Sequence, residues 1–242
     1  MTHPADAATL ARLRAAIAFP SGSGEQRCPT GFPDLDEALG GGLPRDSLTE
    51  IYTAAAGSGV LEALLPSLAR GSSRWLTWIH PSSTPYPPAL AQAGFDLTRW
   101  MLVRPASADD HLWSIEQCLR SRGCDAVVSH LTDVNDGQMR RFSLAAEEGS
   151  CLGLLLRPAA LMSRPSPASV RLFAEPAPSP HPARRRMTLT VVRCRGQSQN
   201  PTLTLEWNRD PLDRPSFSLA SDRTSAIRIP IERPKPSRSL RA

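Results

Sequence analysis

From residue 46 onward the chain alternates two hydrophobic patterns. Short apolar runs, "DSLTEIY", "RWLTWIH", "RWMLVRP", "DAVVSHL" and "CLGLLLRP", predict strands. Between them, "GVLEALLPSLARG", "ALAQAGF", "ADDHLWSIEQCLRSRG" and "GQMRRFSLAAEEGS" predict helices. Strands that alternate with helices through short connections require crossover units, so the sequence predicts an α/β fold with a mostly parallel central sheet flanked by helices. Further on, "SVRLFAE", "RMTLTVVRCRG" and "PTLTLEWN" alternate apolar and polar residues, the pattern of antiparallel strands that complete the sheet.

The two ends read differently from this core. In residues 1–28, "AATLARLRAAIAF" sets Leu10, Leu13 and Ile17 on one face of a short amphipathic helix, followed by a Ser/Gly/Pro linker. The core spans residues 29–210. Residues 211–242 are rich in Pro, Arg and Ser and lose periodicity, which predicts a C-terminal tail that is disordered on its own. Within it, "AIRIPIERP" alternates Ile227, Ile229 and Ile231 with Arg228 and Pro230, a pattern suited to an extended peptide on a sheet edge or in a groove. Arg228 and Arg233 would favour an acidic partner surface, because guanidinium pairs with carboxylate through two hydrogen bonds.

At 242 residues and 40% hydrophobic content the chain is long enough for one good core. No stretch approaches the roughly 20 apolar residues of a membrane span, and no basic leader precedes a long hydrophobic run, so the expected location is cytoplasmic. The net charge of +5 is unevenly spread: residues 1–180 carry −3 and residues 181–242 carry +8. A near-neutral body thus joins a basic C-terminal part that can meet nucleic acid or an acidic protein. The chain has a single lysine, Lys235, in the tail. Its five cysteines are scattered, with no C-x-x-C pair, and read as buried reduced thiols.

The segment "GGGLPRDSLTEIYTAAAGSGVLEAL" has the layout of a P-loop: a strand, a small-residue turn and an apolar helix start. Such a turn cradles phosphates with backbone N–H groups while a lysine neutralises charge and a hydroxyl holds magnesium. Here the turn comprises Thr53, Gly57, Ser58 and Gly59, but Val60 and Leu61 stand in the lysine and hydroxyl positions. The P-loop is degenerate, and no cofactor is expected.

The order of elements resembles the core of the bacterial recombinase RecA and, more closely, its shortened relatives in the SOS response, the ImuA family of mutagenesis accessory proteins and the related division inhibitor SulA. The resemblance rests on "TGFPDLDEALGGGLPRDSLTEIY", on "ALAQAGFDLTRWMLVRPASADDHLWSIEQCLRSRGCDAVVSHL", and on "ASVRLFAE" with "MTLTVVRCRGQSQNPTLTLEW". It implies a RecA-like core over roughly residues 29–208. Against that pattern three charged groups are missing: the P-loop lysine, a carboxylate where Ser129 ends the second nucleotide strand, and a glutamate in "WIHPSSTP", where His80 and Ser82 stand. Phosphoryl transfer depends on those charges, so the chain is expected not to be an enzyme. "HLTDVNDGQMRRF" and "RPAALMSRPSPASV" are too short to reproduce the recombinase's DNA loops, so direct DNA binding is expected to be weak or absent, with "RPAALMSR" and "HPARRRM" as the remaining phosphate contacts.

The resemblance implies a noncatalytic adaptor of error-prone translesion synthesis, with an ImuB-like inactive Y-family polymerase homologue, RecA and an error-prone replicative-type polymerase as partners. The alternative within the resemblance is a SulA-like inhibitor that captures the tubulin-like division GTPase; a cryptic ATPase and a DNA-binding module are further alternatives. In the recombinase an N-terminal helix packs on the adjacent protomer, which makes the Leu10, Leu13 and Ile17 face a candidate docking element. Other residues read as structural. His80, His111 and His130 lack metal-ligand spacing. Cys118 and Cys124 flank a helix end with no His or Asp partner in view, Asp109 and Asp110 suit a helix cap, and Trp75, Trp78, Trp100 and Trp113 suit the core.

Overall fold

The computed structural model describes residues 26–54, 58–68, 74–92, 95–181 and 184–208. Leu10, Leu13, Ile17, Gly57, Ile227, Arg228, Ile229, Ile231 and Arg233 lie outside the described residues. The order of elements begins with β1 (Arg27–Cys28), α1 (Pro33–Ala38) and β2 (Leu43–Pro44). There follow β3 (Leu48–Thr53), α2 (Val60–Leu68), β4 (Trp75–Ile79), α3 (Pro87–Gln92) and β5 (Trp100–Val103). Next come α4 (Ala108–Arg120), β6 (Cys124–His130), α5 (Asp136–Gly149) and β7 (Leu152–Pro158), and then β8 (Val170–Ala177), β9 (Arg184–Cys194) and β10 (Thr202–Asn208).

The first three elements form a small lead-in unit that the strand pattern did not predict. Asp36 in α1 accepts the Thr30 amide at 2.6 Å and the Thr30 hydroxyl at 2.7 Å, which accounts for the spacing of "TG" and "LD" in the motif. The chain then reverses through Gly40, Gly41 and Gly42, all at positive φ, so that β2 pairs antiparallel with β1. A Cβ on Gly42 would lie 2.3 Å from the Cys28 carbonyl oxygen, so only glycine fits there.

The main sheet has eight strands in the order β10-β9-β8-β3-β7-β6-β4-β5. All pairs from β8 to β5 are parallel, and β9 and β10 are antiparallel. This is the expected mostly parallel sheet flanked by helices, with one correction. "SVRLFAE" forms β8, which pairs antiparallel with β9 but parallel with β3. The crossover from β7 carries it past β3 in the same direction, through a single 3-10 turn at Ala159–Leu161 in place of an α-helix.

Each sheet face has its own core. On one, Ile51, Leu154, Leu156 and Leu172 meet Leu35 and Leu39 of α1, Val60, Leu64 and Leu68 of α2, and Met187, Val191 and Leu205 of the antiparallel strands. On the other, Leu48, Val127 and Leu155 meet Ile115 and Leu119 of α4 and Met139, Phe142 and Ala146 of α5. The helices start as their sequences dictate. Asn135 and Gln138 form a reciprocal capping box at α5. At α4 the cap is Ser107, whose hydroxyl accepts from the Asp110 amide, while Asp109 and Asp110 occupy the first turn; this corrects the assignment of the cap to the aspartates. α4 and α5 pack closely at Gly149, where a Cβ would lie 2.0 Å from the Leu119 carbonyl oxygen. No helix among the described residues is long and apolar enough to cross a membrane.

The sheet centre holds a buried ionic cluster. Glu50 on β3 is fully buried and pairs with Arg157 Nη1 of β7 at 2.5 Å and Arg171 Nε of β8 at 3.1 Å. Tyr52 donates its hydroxyl to Glu50 at 2.7 Å and accepts from Arg171 Nη2 at 2.6 Å, and burial raises the tyrosine's pKa. Arg171 Nη2 also donates to the carbonyls of Met162 at 2.7 Å and Arg164 at 3.2 Å, which ties down the β7–β8 crossover. Removing one member of such a cluster leaves uncompensated buried charge. Glu50→Gln is therefore expected to lower the unfolding free energy by about 3–5 kcal/mol in urea denaturation. Glu148→Gln, on an exposed pair with Arg120, should leave the denaturation curve nearly unchanged.

Candidate functional site

In open α/β sheets ligands gather outside the carboxyl ends of the strands. Two groups of residues lie at that edge here, one around the degenerate P-loop and one at the ends of β4 and β6.

Where the turn meets α2, Gly59 has φ 81° and its carbonyl accepts the Ala63 amide in the first turn of the helix. Its chemistry is reversed. Val60, in the lysine position, is 1% exposed and packs in the core, and Leu61 packs against that core. Glu62 sits in the first helical turn, so a fixed carboxylate occupies the electrostatic position that an anion would otherwise take. Trp207 of β10 closes over the turn: its ring would touch a Cβ on Gly59 at 3.4 Å. The ring also stands edge-on to Phe32 at 6.4 Å, and its Nε1 donates to Glu62 at 3.2 Å. Beside it a recess of about 290 Å³ is lined by Ser58, His181, Arg184, Arg185, Arg186 and Trp207. Arg184 and Arg186 are both paired with Glu206, at 2.7 and 2.6 Å, and the hydrogen bonds they donate hold its carboxyl below the usual range.

At the ends of β4 and β6 the structure brings together His80, His111 and His130, which sequence spacing keeps apart. β4 pairs with β6 in register, Ile79 opposite Ser129, so the residues that follow each strand are neighbours. The His80 ring lies 5.2 Å from that of His130 and 6.5 Å from that of His111. His80 Nδ1 accepts the amides of Ser82 at 3.1 Å and Ser83 at 2.7 Å, which places its proton on Nε2. Ser129 donates its hydroxyl to the Ile79 carbonyl at 2.8 Å, so the 2.8 Å contact with His111 Nε2 is made by the imidazole N–H. His130 packs edge-on to Trp78 at 5.6 Å, and its Nδ1 is buried without a hydrogen-bond partner. Burial lowers the pKa of each histidine, and for His111 and His130 the neighbouring rings lower it further.

Three sequence readings meet this edge. Ser129 is fully buried inside a hydrogen-bond chain, in the position of the missing carboxylate. His80 occupies the position of the missing glutamate with its Nδ1 committed to its own turn. Of the tryptophans, Trp78 is in the core but Trp75 is 42% exposed, which corrects its core assignment. Trp207 and Glu62, which close the P-loop turn, carry no motif. Only the pairing of β10 with β9 brings them together with Arg185, whose Nε is 3.8 Å from Glu62.

Residues 48–153 match the family described as "Cell division inhibitor SulA", a stretch running from β3 to the start of β7. The chain is 32% identical to the cell division inhibitor SulA of Edwardsiella piscicida over 102 residues, 41% of this chain and 61% of that protein. It is 31% identical to that of Klebsiella aerogenes over 105 residues, 42% of this chain and 62% of that protein. The chain thus spans about three-fifths of the length of these curated relatives. Among solved structures, the RadB recombinase superimposes with a TM-score of 0.57 at 18% identity, covering 73% of this chain and 94% of that one, and it supports the RecA-like fold.

The three histidines give the fold a pH dependence whose sign follows from their burial. Each is neutral when folded and has a lower pKa than in the unfolded chain. Their contribution is complete above the unfolded value of about 6.5 and is lost as the pH falls through the lowered folded values. Urea denaturation from pH 8 to pH 5 should show declining stability below neutrality. His130→Phe, which keeps the contact with Trp78 and removes the unpartnered nitrogen, should flatten that decline.

Proposed function

We propose that this chain is a noncatalytic RecA-like protein that acts by binding another protein, and that its role is division inhibition of the SulA kind, with the tubulin-like division GTPase as partner. The observation that carries this reading is the match of residues 48–153 to the SulA family, which takes in the three histidines and the P-loop residues Ser58 to Glu62 but not Trp207 or the arginines beside it. The physical features agree with it. A fold whose nucleotide turn is closed by Val60, Glu62 and Trp207 offers surface rather than chemistry. The described large apolar side chains that remain exposed, Trp75, Tyr86, Leu97 and Leu144, all fall within the matched stretch.

A second reading is the ImuA-like adaptor, with an ImuB-like polymerase homologue, RecA and an error-prone replicative-type polymerase as partners. It is favoured by RecA-like elements outside the matched stretch: the Thr30–Asp36 lead-in and the strands β8, β9 and β10. Both readings place the chain in the SOS response and both dispense with nucleotide.

Two measurements test the proposal. Calorimetric titration with Mg-ATP is expected to give no heat, and micromolar affinity competed by ADP would overturn the noncatalytic reading. Full-length protein is expected to retain the purified division GTPase on a column and to slow its assembly in light scattering. Tyr86→Ala, at the most exposed of the four apolar side chains (70%), should weaken that retention at least about tenfold if it anchors the interface. Retention of the polymerase homologue or RecA, with none of the GTPase, would decide for the adaptor.

A further inference from the structure

Three successive arginines, Arg184, Arg185 and Arg186, open β9 at the recess beside the P-loop turn. Alternation along the strand divides them between its two faces. Arg184 and Arg186 fall on one face and share the carboxylate of Glu206 on β10. Arg184 Nη1 donates to one oxygen at 2.7 Å, and Arg186 donates to the other from Nε at 3.0 Å and from Nη2 at 2.6 Å. Arg185 falls on the opposite face, directly across the ladder from Trp207. Its Nε is buried with no hydrogen-bond partner, and Glu62 Oε2 stands 3.8 Å away, close enough for an ion pair but too far for a hydrogen bond. The side chain as a whole is 39% exposed, so the guanidinium can be reached from outside.

Charge and shape together define what the recess can take. Three guanidiniums stand against two carboxylates, Glu62 and Glu206, which leaves one positive charge in excess. A buried N–H without an acceptor is costly, and an added acceptor relieves that cost. The grip on Glu206 shows the kind of acceptor these side chains hold, a carboxylate bound through several N–H groups at once. Trp207, Pro176 and Ala177 supply an apolar wall beside the guanidiniums, and Ser58 and Ser179 supply hydroxyls. At about 290 Å³ the recess is small for a ligand cavity and suits a side chain or two. The fixed carboxylates Glu62 and Glu206 would repel a continuous run of phosphates, whereas a peptide can set a single carboxylate between them.

We propose that this recess is a docking site for an acidic peptide segment of a partner protein, which seats an Asp or Glu carboxylate on Arg185 and an adjoining apolar side chain against Trp207. Recognition of acidic motifs by clustered arginines is a general mode of peptide binding. Glu206 sets the strength of the site, because it occupies two of the three guanidiniums and competes with the incoming carboxylate for them. Apart from Ser58 and Glu62 the surface lies outside residues 48–153, so it is a second docking surface and does not rest on the identity of the partner held by the matched stretch.

The test pans a random decapeptide library, displayed on phage, against the immobilised full chain and against its Arg185→Gln variant, with circular dichroism showing that the variant is folded. Peptides enriched on the full chain over the variant are expected to carry Asp or Glu beside an apolar residue. In fluorescence anisotropy such a peptide, labelled with fluorescein, should bind Arg185→Gln at least about tenfold more weakly than the full chain. It should bind Glu206→Gln at least about threefold more tightly, since that change frees Arg184 and Arg186 while keeping the shape of the side chain. The same peptide with Asn and Gln in place of Asp and Glu should not bind. Doubly substituted Arg228→Gln, Arg233→Gln protein, which alters only the basic tail, should bind as the full chain does. No enrichment of acidic residues, equal affinity for Arg185→Gln, or loss of binding in the tail variant alone would overturn the proposal. Tighter, Arg185-dependent binding of a labelled oligothymidylate would overturn it in favour of a phosphodiester ligand.

Discussion

A carboxylate removed from water holds the middle of this sheet together. Glu50 sits on the central strand β3 between Arg157 of β7 and Arg171 of β8 and is fully buried. Either arginine alone would leave one neighbouring strand held to β3 by its backbone ladder and apolar packing without an ion pair. The cluster matters most for β8, because the crossover leading to it contains no α-helix to pack it onto the sheet. Arg171 supplies the missing anchor by gripping the crossover's carbonyls while it pairs with Glu50. Tyr52 completes the arrangement, since its hydroxyl both donates and accepts. Buried ion pairs return little net stability, but they penalise every alternative register heavily. Here that penalty falls on the strands that set the width of the sheet.

Much of this architecture was legible in the sequence because periodicity is a local signal. The runs "DAVVSHL" and "CLGLLLRP" are apolar on both faces, as strands in a covered parallel sheet must be, and they became β6 and β7. The single alternation of "RMTLTVVRCRG" marked a strand with one apolar face, and β9 is such a strand. The same alternation in "SVRLFAE" was misleading. β8 has one covered face because it lies beyond the reach of α4 and α5, and the direction of its neighbours has no bearing on that pattern. The lead-in helix α1 was missed since six residues, "PDLDEA", are too few to show a helical period.

The candidate site was legible only as a set of absences. Val60, Leu61, Ser129 and His80 are each read, by resemblance, as standing where a charge is missing. What replaces those charges depends on strand order, which no local pattern encodes. Once β4 lies beside β6, His80 and His130 must adjoin, and the first turn of α4 brings His111 to the same edge through Ser129. Once β10 pairs with β9, Trp207 must reach the P-loop turn. The substitution of one buried imidazole cluster and one indole for a lysine and two carboxylates converts a charged crevice into a packed one. Among the described residues of these two groups, His130 Nδ1, Ser83 Oγ and Arg185 Nε are buried without a hydrogen-bond partner.

The close approach of α4 and α5 has a mechanical consequence. At Gly149 the two backbones meet with no side chain between them, and Arg120 and Arg141 bracket the contact through Glu116 and Glu148. Helices separated by side chains can slide by rotamer changes, whereas backbones in contact cannot. The pair therefore behaves as one lever pinned at the base of the sheet. Leu144 projects from the exposed face of this pair, and the pinned end abuts the turn between α4 and β6.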